Sequence, residues 1–229
     1  MDTGTLLAER LSMVRERIAE ACRRSGREQS TVTLVGVTKT TSPEVARIAF
    51  ELGLHDLAES RPQELWKKAA VLPEARWHLI GHLQRNKLDR TVPLISLIHS
   101  VDSERLLAAL AQFGSKRGVP VPVLLEVNCS REPAKGGFPP DAIPPLTEKF
   151  MQLPGVEVRG LMTMAAYSDN PEPARPAFAD LRRIRDDLRL RSGLELPELS
   201  MGMSGDYEVA IEEGATLVRI GTTLFEGLD

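Results

Sequence analysis

Eight strand-like runs punctuate the 229-residue chain, and a helical stretch follows every one but the last. The runs are 31–37 (TVTLVGV), 55–59 (HDLAE), 75–81 (ARWHLIG), 94–101 (LISLIHSV), 121–129 (VPVLLEVNC), 156–164 (VEVRGLMTM), 196–203 (LPELSMGM) and 215–225 (ATLVRIGTTLF). Strand and helix in regular alternation require right-handed crossovers and a parallel sheet. The runs at 31, 121 and 215 are almost continuous in Val, Leu and Ile, as strands covered on both faces should be. Punctuation agrees: Ser42 reads as an N-cap, Pro43 as the first helical residue and Gly53 as the stop. Ahead of the first run, Leu6, Leu7, Leu11, Val14, Ile18 and Ala21 recur at helical spacing, and Gly26 ends that helix. No break in composition marks a linker. The expected fold is therefore α/β, a single (β/α)8 TIM-type barrel over residues 1–229 with an N-terminal helix. A doubly wound open sheet is the alternative, and no GxGxxG turn supports it.

Composition bounds the function. The chain is 42% hydrophobic and 27% charged, with a net charge of −3. Its basic residues are scattered, so no nucleic-acid or anionic-lipid footprint is expected. Charge recurs every few residues from the start, unlike a signal peptide, and no run approaches the length of a membrane span. Cys22 and Cys129 are isolated, which fits a reducing compartment and no disulfide framework. A cytoplasmic protein without nucleic-acid or membrane partners is expected.

In such a barrel, chemistry sits at the carboxyl ends of the strands. The residues there are Lys39, Glu59 and Ser60, His78 and Gly81, Asn128, Met162 to Met164, Ser200 to Ser204, and Arg219 with Gly221, Thr222 and Thr223. GMSGDYEVAIEEG and RIGTT put small residues, hydroxyls and free backbone N–H groups after the last two strands, a recurrent arrangement for phosphate. Each piece alone also reads as a plain N-cap or turn. Arg219 lies inside an apolar strand and needs a partner: Glu59 or another carboxylate as structural glue, or an atom of a ligand. Lys39 ends a strand made for the interior. With a phosphate clamp across the same mouth it could form a Schiff base with a phosphorylated aldehyde, desolvation by an apolar mouth making it nucleophilic. A snorkelling surface lysine is the plain alternative. His55 and His99 read as rim residues, KGGF (135–138) as a lid or a plain connection, and LRRIRDDLRLR as a solvated helix face. His78 and His82 have no third ligand placed near them, so no metal site is expected.

VTK (37–39), WHLIGHLQRNK (77–87), NCSREPAKGGF (128–138), RGLMTM (159–164), LSMGMSGDYEVAI (199–211) and VRIGTTLFE (218–226) occur in order over nearly the whole chain. Together they resemble the pyridoxal-phosphate homeostasis proteins (YggS/PROSC-like), whose fold is similar to the barrel domain of alanine racemase. The resemblance implies pyridoxal 5′-phosphate as cofactor, held as an aldimine on Lys39. It implies Ser204, Gly221 and Thr222 around the phosphate with Ser200 and Met201 beside them, Arg219 facing the pyridine nitrogen, and His78 in the segment under the ring. It also implies binding, buffering and handing on of the cofactor to PLP-dependent apoenzymes rather than turnover.

Two departures from the family pattern stand out. Ala58-Glu59-Ser60 replaces the usual Gly-Glu-Asn, which leaves Ser60 a shorter ring-side group, and His82 replaces a proline. An arginine at the ring nitrogen keeps it unprotonated and weakens the ring as an electron sink. The two tyrosines, Tyr167 and Tyr207, match no racemase acid/base, so no catalytic residue is assigned. A weak racemase or decarboxylase on the same site, and a cofactor-free Schiff-base aldolase, are the rival readings. A monomer is expected.

Overall fold

The computed structural model describes residues 2–133, 135–146, 153–166 and 168–228. Eight parallel strands close into a barrel in sequence order. They are β1 (Thr33–Val37), β2 (Asp56–Glu59), β3 (Arg76–Leu79), β4 (Leu97–Val101), β5 (Val121–Glu126), β6 (Val156–Met162), β7 (Glu198–Ser200) and β8 (Leu217–Ile220). Closure is made by β1 lying parallel to β8, with Gly36 opposite Ile220. The open-sheet alternative is thereby excluded.

Alternation along the strands sorts the side chains into two cores. Val35, Val37, Ala58, Leu97, Leu124, Met162 and Leu217 fill the barrel interior. The outward residues, Leu57, Trp77, Ile98, Val123 and Val218 among them, pack beneath the helices. Those helices include α1 (Thr3–Arg24), α2 (Pro43–Glu51), α3 (Pro62–Val71), α4 (Leu88–Thr91), α5 (Glu104–Arg117), α6 (Arg175–Ser192), α7 (Tyr207–Glu212) and α8 (Thr222–Phe225). The buried stripe of α1 is the expected one, Leu7, Leu11, Val14, Ile18 and Ala21 with Cys22. Each Leu, Val or Ile buried there contributes roughly 1.5–3 kcal/mol. Arg10 of α1 also donates to Leu224 O at 3.0 Å and Glu226 O at 2.7 Å, latching α1 to the far end of the chain.

Three local differences from the sequence pattern have physical causes. The helix expected after β3 is broken into 3-10 turns at Arg85–Lys87 and Val92–Leu94 around the one-turn α4, with Pro93 inside the second turn. Strand β7 shrinks to three residues because Pro197 precedes it and Gly202, at φ +92°, turns the chain away after it. The last strand does lead into a helix, the single turn α8. The helix expected from Pro140 extends into 147–152, and Tyr167 also falls outside the described residues. No helix among the described residues is long and apolar enough to cross a membrane.

Candidate active site at the carboxyl end of the barrel

Lys39 follows β1 and Gly221 follows β8, and these strands are hydrogen-bonded neighbours. A Cβ built on Gly221 would lie 3.5 Å from Val37 Cβ, so the two loops start side by side. The lysine and the glycine-hydroxyl loop thus share one mouth.

The turn that carries Lys39 is fixed from behind. Thr38 O accepts from Thr41 N at 3.0 Å, from Thr41 Oγ1 at 3.1 Å and from Lys68 Nζ. Thr38 Oγ1 donates to Glu59 Oε1 at 2.6 Å, and Lys68 Nζ pairs with the same oxygen at 2.6 Å. Lys68 and Glu59 are both buried in the outer wall. Glu59 is therefore neither at the mouth nor a partner of Arg219: strand alternation sends it outward while Ala58 and Ser60 share the other face. Lys39 itself is exposed and makes no hydrogen bond or ion pair among the described residues. The expected apolar desolvation at this strand end is absent; what the fold supplies is a rigid base under a reachable amine.

Arg219 is 3% exposed on the inner face of β8. Its Nη1 donates to Ser200 Oγ and its Nη2 to Thr163 O at 3.0 Å, so a hydroxyl and a carbonyl, not a carboxylate, hold it. Burial pushes the guanidinium down to about 10, opposed by Asp206 and Glu126, and it stays charged at neutral pH. Ser200 also lies 2.7 Å from His99 Nδ1, and His99 Nε2 lies 2.8 Å from His78 Nδ1. His99 is fully buried inside the barrel rather than at its rim. His78 is likewise interior and bonds towards Asp56 at the opposite end of the strands. His55 does lie at the surface, edge-on to Phe50.

Around Gly221 the loops after β7 and β8 meet. Ser204 Oγ accepts from Gly221 N and Thr223 N, both at 3.3 Å, and Thr222 between them is exposed. These two long bonds bring two N–H groups and a hydroxyl to one point. A Cβ at Gly221 would make only ordinary contacts, all with Val37. Met201 differs: alternation turns its side chain into the outer core, and its N–H bonds Leu217 O.

Ser60 is half-buried at the end of β2, and Gly81 passes so close that a Cβ there would sit 2.1 Å from Ser60 O. His82 is exposed and bonds Asp102 Oδ2 at 3.1 Å across the rim. The 135–138 loop is pinned as a plain connection: Phe138 N donates to Glu126 O at 2.7 Å and Lys135 Nζ to Ala165 O at 2.9 Å. The sequence reading missed Glu126, which shares the inner face of β5 with Leu124. Burial, reinforced by Asp102, raises its carboxyl above the ordinary range. A single Glu in an apolar strand gave no signal of this.

Fold and site together define a barrel of the alanine racemase type bearing a lysine and a glycine-hydroxyl loop at one mouth, and a family model for the alanine racemase N-terminal domain matches residues 10–229. The pyridoxal phosphate homeostasis protein of Aquifex aeolicus is 47% identical, covering 95% of this chain and 96% of the relative. That of Pseudomonas aeruginosa is 40% identical over 97% and 96%. The chain belongs to the pyridoxal phosphate homeostasis protein family. Among solved structures, PipY of Synechococcus elongatus with PLP bound is similar at a TM-score of 0.83 and 34% identity, covering 96% of this chain and 99% of that one. Alanine racemase of Clostridium difficile, at 15% identity and a TM-score of 0.75, shares the fold over 96% of this chain and 56% of its own.

Proposed function

We propose that this chain binds pyridoxal 5′-phosphate and hands it on to PLP-dependent apoenzymes, working as a cytoplasmic monomer. Lys39 Nζ condenses with the aldehyde carbon, losing water, to hold the group as an aldimine. Ser204 with the N–H groups of Gly221 and Thr223 takes the phosphate, and exposed Thr222 flanks it. Arg219 faces the ring nitrogen, Ser200 steadies Arg219, and Ser60 and His78 line the ring side and the floor. Met201 contributes through its backbone. When bound, the group supplies an electrophilic carbon and an electron-withdrawing ring. Two observations of the protein fit it: the space at Gly221 with its convergent N–H groups, and a lysine with no competing partner among the described residues.

The observation that carries the reading is the placement of Lys39 and the cradle on adjacent strands at one end of the barrel. A donor-only arginine opposite the ring nitrogen suits storage over vigorous amino-acid chemistry. Exposure of Lys39 keeps the attached carbon within reach of an acceptor amine. The test is the absorbance of purified protein after addition of pyridoxal phosphate and gel filtration. A retained visible band that vanishes in Lys39→Ala supports covalent carriage; the same band in the variant removes Lys39 from the role. Transfer is then read as reactivation of an apoenzyme separated by a membrane too tight for either protein.

One observation favours a second reading, a weak racemase or decarboxylase. Glu126 is a carboxyl at the mouth whose proton affinity is raised by burial, the profile of an acid/base group. Exchange of Cα hydrogen on L-amino acids in deuterated solvent, lost in Glu126→Gln, would establish it; no exchange removes it.

A further inference from the structure

A line of polar side chains crosses the barrel, and the proposed cofactor chemistry uses chiefly its last members. At the amino-terminal face Asp56 is gripped by Arg76 through both carboxylate oxygens. Its Oδ1 lies 3.0 Å from His78 Nε2. From there the line runs His78 Nδ1 to His99 Nε2, His99 Nδ1 to Ser200 Oγ, and Ser200 Oγ to Arg219 Nη1. Strands β2, β3, β4, β7 and β8 supply one member each.

The protons on this line have one consistent arrangement. A guanidinium only donates, so Ser200 Oγ accepts from Arg219 and its own O–H goes to His99 Nδ1. His99 then carries its hydrogen on Nε2 and donates to His78 Nδ1. His78 in turn donates from Nε2 to Asp56, whose carboxylate only accepts and ends the series. Reversing His99 would leave the Ser200 hydroxyl without an acceptor among the described residues, in a place where Ser200 and His99 are both fully buried, and reversing His78 alone would set two N–H groups against each other. Bonds aligned in one sense polarise one another. Burial, reinforced by the Arg219 charge, holds His99 well below the usual imidazole range, in keeping with a neutral ring.

We infer that Asp56, His78 and His99 are positioning residues for Arg219, acting through Ser200 to set the guanidinium's orientation from the opposite face of the barrel. The inference rests on the proposed cofactor reading for what Arg219 faces, though not for the proton order itself.

Nitrogen-15 NMR of the intact protein tests it. His99 is expected as the neutral Nε2–H tautomer, unchanged between about pH 5.5 and 8, the window in which a free imidazole titrates. A titrating His99, or an Nδ1–H tautomer, overturns the inference. In Asp56→Ala, mixed tautomers at His99, altered Arg219 guanidinium resonances and roughly tenfold weaker retention of pyridoxal phosphate are expected, the size outer hydrogen-bond partners of a ligating group carry. Asp56→Asn keeps an acceptor oxygen and is expected to restore all three. Wild-type tautomer and guanidinium signals in Asp56→Ala overturn the inference, and if that variant does not fold the native spectra decide. Should the native protein fail to retain pyridoxal phosphate, the cofactor reading falls while the histidine and arginine resonances still judge the positioning.

Discussion

Lys68 shows how much a single residue behind the site does. It is buried against Glu59, whose second carboxylate oxygen already lacks a partner among the described residues. Removing one member of a buried pair strands the other charge. Lys68→Met is therefore expected to destabilise the fold by about 3–5 kcal/mol in urea titration. A Glu59→Gln, Lys68→Met double variant should recover much of that. Gly221→Ala is the complementary case. The backbone there has no positive φ and a Cβ meets no clash, so stability should hold while pyridoxal phosphate binding weakens by tenfold or more on titration. Lys39 and the loop around Gly221 were legible because position at a strand end is readable from a pattern. Lys68 and His99 were not: nothing in the sequence singled out the first, and the second read as a rim histidine. Only strand alternation combined with barrel closure reveals what lies behind or inside the wall.

Elements were more readable than residues. All eight strands fall within the expected runs, since β-branched and apolar clusters bounded by helix caps leave little freedom. Their lengths were not, because strand ends depend on neighbours the sequence does not display. The β7–β8 seam is the thin one: Ser200 opposite Leu217 is its only registered pair, helped by Arg219 N bonding Gly202 O at 3.0 Å. Amide hydrogen exchange is expected to be fastest, among the strands, at β7, and to slow there once the cradle is occupied. Equal protection of β7 and β5 would contradict that. Gly81→Ala, by contrast, should fail to fold normally, because the new methyl meets backbone at Ser60 rather than a side chain that can move.

At the scale of the whole molecule, the interior polar line makes stability depend on pH in two steps. His99 has its proton affinity lowered in the folded state, so its contribution is complete above the unfolded imidazole value of 6.5 and is lost as pH falls below it. One proton taken up on unfolding gives a slope of about 1.4 kcal/mol per pH unit. Asp56 is held at about 2 against 3.8; burial alone would raise it, and the hydrogen bonds from His78 and Arg76 outweigh that. Its contribution is present above pH 3.8 and disappears towards 2, worth about 1–2 kcal/mol after allowing for solvent around the exposed Arg76. Urea midpoints measured from pH 8 to 3 are expected to fall first below 6.5, and His99→Gln to flatten that first step.

Arg10 joins the opening helix to the carbonyls just past the 221–223 loop. Grip on a phosphate at that loop would therefore be felt as tension along α1, and a fluorophore on the outer side of that helix would report occupancy of a pocket it never touches.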